Sequence, residues 1–408
     1  MGIEVRPIRE SELRPWLDAV ETSFGEEVRE ERFADLRRII EIERVHGAYD
    51  GETIVGGGAA FSFRLTVPGA RQVAAAGVTA IGVLPTHRRQ GMLRQLMARQ
   101  LADSRARKEP LAILWASEGS IYQRFGYGLA SLNTSFEIER ERSAFRLPTE
   151  QEDTVRLVTV DEALKAFPVV YDTVCRVTPG FYERSAERWQ ANQLSDYPHS
   201  RHGASRMFLA LLERGGDPAG YAMYRVKPQW GDLGSKSELQ VLELLGLDPA
   251  AERDMWRFLL DVDLIAHIKS GMGPVPHPLM LTLADPRRLG LRVGDGLWLR
   301  LLDVPAALAG RGYAADGTVV LEVADGLLPD VGGRFRLTAR GGEGRVEPTA
   351  DGPDIELDVT DLAAVYLGGF RFSDLARAGR TGESQPGARA RADAMFASAV
   401  SPWCPEIF

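Results

Sequence analysis

Val83-Leu84-Pro85-Thr86-His87-Arg88-Arg89-Gln90-Gly91-Met92-Leu93-Arg94 is the stretch on which the fold turns. In front of it, residues 76–83 are mostly apolar and read as a strand, which Leu84-Pro85 breaks. Behind it, residues 91–102 space Met92, Leu93, Leu96 and Leu101 as an amphipathic helix, and residues 111–116 follow as a buried strand. Strand, basic turn, helix and strand make a parallel crossover, whose ligand site lies at the strand C-termini. The turn itself holds what a pyrophosphate requires. It offers backbone N–H donors at a helix N-terminus, a glycine that permits close approach, and arginines nearby, with Arg88-x-x-Gly91 as the core.

Upstream, a helix is expected after Ser11 with Leu13, Trp16, Leu17 and Val20 on one face, then a second across residues 26–42. Strands 45–49 and 54–65 follow, joined at the hairpin signal Asp50-Gly51. Downstream, a second α/β pattern occupies about 155–295, with strands 207–212, 221–226 and 240–245 and a helix from Asp248-Pro249 to about Leu260. Its turn, Gly246-Leu247-Asp248-Pro249-Ala250-Ala251-Glu252, is acidic where the first is basic, and it is not expected to hold a pyrophosphate. The last hundred residues read as an α+β domain. Strands 318–323, 334–338 and 355–359 precede a helix 361–367, N-capped by Thr360 and stopped by Gly368-Gly369, and a final helix 388–397. The polar stretch 381–387 reads as a flexible connector from which the last helix and tail hang.

Composition narrows the function classes. A length of 408 residues predicts two or three domains, and 44% hydrophobic with 26% charged residues is ordinary globular protein. A net charge of -8 argues against nucleic-acid binding. Cys175 and Cys404 are too few for a disulfide framework and form no C-x-x-C pair, and the six histidines show no metal-ligand spacing, so no metal is expected. No secretory leader or apolar run of membrane-spanning length is seen, and the reading is a cytoplasmic protein without a membrane partner.

A second motif follows strand 111–116: Ser117-Glu118-Gly119-Ser120-Ile121-Tyr122-Gln123-Arg124-Phe125-Gly126-Tyr127-Gly128. A phenol placed as Tyr122 is can donate a proton to an expelled thiolate. Together the two motifs resemble the GCN5-related N-acetyltransferase (GNAT) superfamily, whose signature is Arg/Gln-x-x-Gly-x-Gly/Ala; Leu93 departs from it at the last position. The resemblance implies acetyl-coenzyme A as cosubstrate. It puts the pantetheine arm along Ile81, Gly82 and Val83 and the phosphates among Arg88, Arg89, Gln90, Gly91, Met92, Leu93 and Arg94, with Ser117 and Glu118 beside them. Tyr122 becomes the general acid.

Over nearly the whole chain the match is closer, to the enhanced intracellular survival (Eis) acetyltransferases. It rests on Pro-Thr-His-Arg-Arg, the Ser117–Gly128 motif with Ala116, Asp295-Gly296-Leu297-Trp298-Leu299-Arg300, Asp303-Val304-Pro305-Ala306-Ala307-Leu308 and Tyr366-Leu367-Gly368. That resemblance implies mixed α/β tandem GNAT domains, catalytic over 1–145 and degenerate over 146–296, then a sterol-carrier-like α+β domain over 297–408, in a homohexamer. It implies direct transfer in a ternary complex to aminoglycoside, polyamine or lysine amines. The α-carboxylate of Phe408 is the implied general base, and Glu26 matches in position an acidic residue that the family has near its amine, where a charged helix start is the plain alternative; Phe24 either lines the amine pocket or fills core, core being the default. Ile407 stands where the family has an acidic residue, with Glu406 one earlier. Direct deprotonation of an alkylammonium by a carboxylate is uphill by roughly 9 kcal/mol, so a water relay or a buried, strengthened base is expected. The rival readings are a lipid- or sterol-binding protein, or an oligomeric scaffold, with a vestigial acetyltransferase fold.

Overall fold

The computed structural model describes residues 3–147 and 153–408. Among them, those up to Ser131, Gly296–Val400 and Glu406–Phe408 form one compact unit, and those within Leu132–Asp295 and Ser401–Pro405 form another.

The first unit is built on a seven-stranded sheet. Its order is β1 (Ile3–Pro7), β2 (His46–Asp50), β3 (Thr53–Val67), β4 (Arg71–Val83), β5 (Leu111–Trp115), the strand Leu297–Leu301 and β6 (Gly128–Leu129). The pairing is antiparallel up to β4, parallel between β4 and β5, and antiparallel again beyond. Helix α1 (Leu13–Phe24) buries Leu13, Trp16, Leu17 and Val20, the expected stripe, and ends at Gly25. Helix α2 covers only Glu30–Ile39, shorter than the expected 26–42, because Arg29 and Ile40 at its ends are extended. Helix α3 (Met92–Ala106) buries Met92, Leu96, Met97 and Leu101. Each such side chain contributes about 1.5–3 kcal/mol of burial, which holds the crossover helix on the sheet. Arg44, just before β2, and Glu109, just before β5, form a buried two-bond pair at 2.7 Å each.

The same unit carries a five-stranded sheet of order Glu343–Pro348, Gly333–Arg340, Gly317–Ala324, Ile355–Asp358 and Gly382–Glu383. Two expectations are corrected here. The helix after Ile355–Asp358 spans Val359–Tyr366 and is capped by Asp358, whose carboxylate accepts from the Thr360 N–H at 2.9 Å; Thr360 lies inside it. The stretch 381–387 is held in place, since Glu383 pairs with Ile355 and its carboxylate accepts the Arg389 N–H at 2.9 Å.

The second unit has a seven-stranded sheet of its own: Arg292–Asp295, β7 (Leu132–Glu139), Ile265–Ser270, Ser237–Gly246, Asp217–Lys227, Phe208–Arg214 and Thr154–Leu157. Helices Val160–Cys175 and Pro249–Leu260 pack on it. β7 belongs to the second unit and Leu297–Leu301 to the first. All five residues of Leu297–Leu301 are buried, as a strand between two neighbours requires. Among the described residues no helix is long and apolar enough to cross a membrane.

Candidate active site

The site in the first unit begins with a defect in β4. Gly57 faces Gly82 and Ala59 faces Thr79, so one β3 residue, Gly58, opposes Ala80 and Ile81. Ala80 adopts φ 55°, the bulge that makes this count possible. On the other side, the parallel pairing with β5 runs from Ala75–Leu111 to Gly77–Ile113 and stops. Residues Ile81, Gly82 and Val83 therefore turn away from β5 and line a cavity of 1090 Å³.

At the mouth of the gap stands the N-terminus of α3. Gly91, its N-cap, has φ 82° and no side chain caps the first turn. A side-chain-bearing residue is strained at that φ, and the helix dipole and first-turn N–H groups are left for an anion. Arg89, Gly91, Met92, Leu93 and Arg94 line the cavity, as does His87; Gln90 is exposed and does not. Arg88 also lines it, but as a brace. Its Nε donates to the Val83 carbonyl at 3.2 Å and its Nη2 to the Ser23 carbonyl at 2.9 Å, tying the end of β4 to the end of α1. The homologous-looking turn in the second unit has the opposite chemistry. There Asp248 caps the helix Pro249–Leu260, accepting from the Ala251 N–H at 2.9 Å, and pairs with Arg214 at 2.6 Å. The Asp248 carboxylate thus takes a first-turn donor that the first unit leaves uncapped at Gly91.

Ser117, Glu118 and Tyr122 form the wall after β5. Tyr122 sits on α4 (Gly119–Tyr122), is 5% exposed, and has its ring edge-on to Tyr127 with centroids 6.1 Å apart. Burial raises its pKa above the ordinary phenol value, against a hydrogen bond with Ser117 that lowers it. The phenol thus stays protonated through neutral pH and is competent as a proton donor.

The sequence reading missed part of this wall. Asp325, Gly326, Leu327, Asp358 and Val359, all far along the chain, also line the cavity. Asp325 is held by a buried ion pair to Arg300 and accepts N–H bonds from Leu327 at 3.0 Å and Leu328 at 2.9 Å. The pairing of Leu297–Leu301 beside β5 and the packing of the helix Val359–Tyr366 on β6 bring them there, which no local pattern encodes. Among the expected amine-side residues, Phe24 lines the cavity and is half exposed, whereas Glu26 is exposed and outside the lining. Phe408 is likewise outside the lining; its ring lies edge-on to Phe63 with centroids 5.0 Å apart. Among the described residues no group of three His, Cys, Asp or Glu is placed to hold a metal.

Comparison with known proteins agrees with this geometry. Residues 4–130 and 180–301 match acetyltransferase (GNAT) domains, and residues 304–405 match a sterol carrier protein domain. An uncharacterized N-acetyltransferase of Streptomyces avermitilis is 40% identical over 413 residues, covering 100% of both chains. N-acetyltransferase Eis of Mycobacterium tuberculosis is 37% identical over 367 residues, covering 87% of this chain and 86% of its own. The crystal structure of Eis1 from Mycobacterium abscessus superposes with a TM-score of 0.85 at 32% identity over 100% of both chains.

Proposed function

Because this chain belongs to the Eis family of N-acetyltransferases, with two GNAT domains followed by a sterol-carrier-like domain, we propose that it transfers the acetyl group of acetyl-coenzyme A directly to a primary amine. The observation that carries the reading is the coincidence of three features on one cavity. They are the uncapped N-terminus of α3 with its arginines, the gap between β4 and β5, and the buried phenol of Tyr122.

In this reading the pyrophosphate lies on the N–H groups of Gly91 to Arg94, beside Arg89 and Arg94. The pantetheine arm runs along Ile81, Gly82 and Val83, whose backbone is turned from β5 and can hydrogen-bond it. Arg88 keeps β4 and α1 in register at the mouth. The amine attacks the thioester carbonyl, the tetrahedral oxygen is steadied by strand N–H groups, and Tyr122 donates its proton toward the departing sulfur. The α-carboxylate of Phe408 accepts the amine proton through water. Aminoglycosides, polyamines and lysine side chains are the acceptor classes, with Phe24 and Glu26 on the amine side. A homohexameric assembly, a cytoplasmic location and domains at 1–145, 146–296 and 297–408 belong to the same proposal, by family likeness.

Two-substrate initial-rate kinetics test the direct step. Intersecting double-reciprocal lines are expected; parallel lines would mean an acetylated enzyme and overturn it.

A further inference from the structure

The second unit repeats the crossover of the first, from the strand Ser237–Gly246 through the helix Pro249–Leu260 to the strand Ile265–Ser270. Its two strands pair in parallel from Ser237 to Val241 and then part, as β4 and β5 do after Gly77. In the first unit the gap beyond the last pair opens into 1090 Å³. In the second only 20 Å³ remains, room for about one water.

The chain's own tail packs against this gap. Trp403 and Pro405 line the residual void together with Leu242, Leu244, Met272 and Pro274. The Trp403 N–H donates to the Pro179 carbonyl at 3.1 Å, and its ring stands edge-on to Phe181 with centroids 5.1 Å apart. Gly180, at φ 95°, lets the two backbones approach so closely that a Cβ there would lie 2.5 Å from the Trp403 carbonyl oxygen. Pro402, Cys404 and Pro405 are buried. With Asp248 occupying the helix cap, the phosphate end of this crossover is closed as well.

We propose that the strand gap of the degenerate acetyltransferase domain is a binding site for residues 402–405, with Trp403 as its anchor, and that its function is to fix the reach of Glu406, Ile407 and Phe408. This inference rests on the reading of Phe408 as the general base. Trp403 is then a positioning residue. Five peptide units separate it from Phe408, and an unanchored segment of that length spreads its terminus over many conformations that the docked tail removes.

Full-length Trp403→Ala, Trp403→Phe and a chain extended by one glycine after Phe408 separate the possibilities, each assayed for kcat, for the KM of acetyl-coenzyme A and for hydrogen exchange of residues 402–408. Truncating this partly buried aromatic anchor is expected to lower kcat by about 30-fold and raise tail exchange by about 30-fold, with KM within about twofold. Trp403→Phe should recover most of both. An unchanged tail exchange in Trp403→Ala, or faster exchange with normal kcat, overturns the positioning role. Loss of turnover in the extended chain with normal turnover in Trp403→Ala also overturns it while leaving the base reading intact. Full turnover in the extended chain overturns the base reading itself, and with it the positioning role, whereas tail exchange still reports the docking directly.

Discussion

Removing one oxygen from Tyr122 measures how much of the chemistry passes through it. Tyr122→Phe keeps the ring, 5% exposed and packed on Tyr127, and deletes only the hydroxyl that bonds Ser117. The stability cost is that of one neutral hydrogen bond, about 1 kcal/mol. For the reaction, the phenol sits above its ordinary pKa of about 10 while a thiol titrates near about 8.5, so complete transfer to the thiolate is uphill by more than about 2 kcal/mol. The hydroxyl therefore works as a strong donor to charge that develops on sulfur. Loss of one such preorganised donor costs about 2.7–4 kcal/mol, which places kcat down by about 100- to 1000-fold. Burial keeps the phenol protonated, and activity that needs it is lost only as pH rises through its raised pKa. The wild-type rate should accordingly show no falling limb from Tyr122 below about pH 10. The assay is coenzyme A release under saturating amine, with acetyl-coenzyme A affinity measured separately and expected within about twofold. A kcat within about threefold of wild type would refute the assignment.

Other perturbations probe the rest of the account. Gly91→Asp gives α3 the acidic cap that Asp248 gives its counterpart; a carboxylate about 5 Å from a phosphate at an effective dielectric of about 20 costs about 3 kcal/mol. Acetyl-coenzyme A should bind at least about 100-fold more weakly by calorimetry, and unchanged affinity would place the phosphates elsewhere. Glu109→Gln strips the counter-charge from Arg44, which is fully buried, and should lower unfolding free energy by about 3–5 kcal/mol in urea titrations; a loss under about 1 kcal/mol contradicts the pair's role. His277 is 2% exposed and burial pushes its pKa down to about 4. The unfolded chain thus binds a proton first as pH falls, and the stability present above about pH 6.5 is lost toward pH 4, by about 3 kcal/mol in all. His277→Gln should flatten that slope, and an unaltered slope would dismiss His277 as its cause.

The crossover could be read in advance because its pieces are contiguous. Pro85 ends the strand, Gly91 opens the helix, and Met92, Leu96 and Leu101 keep helical spacing, so local sequence states both the elements and the chemistry of the turn. The bulge at Ala80 was not legible, since alanine carries no left-handed signal; the constraint comes from pairing β4 with β3. Arg88 reads as a phosphate ligand in one dimension, and its bracing of the mouth is added only in three, because Ser23 lies 65 positions away in sequence. The wall from Asp325, Leu327 and Val359 depends on a strand inserted beside β5 from 182 residues downstream, counted between Leu297 and Trp115. The docked tail was legible as apolar and proline-rich, but its receiving surface, the gap after Val241, is made by the pairing of Ser237–Gly246 with Ile265–Ser270, which nothing in the tail encodes.

The most direct test of the central claim is coenzyme A thiol release by untagged full-length protein given acetyl-coenzyme A and a panel of aminoglycosides, polyamines and lysine peptides. The account predicts amine-dependent turnover with at least one class, abolished when amine is withheld and lowered about 100-fold or more in Tyr122→Phe. Tight binding of acetyl-coenzyme A with no thiol released by any amine would contradict it.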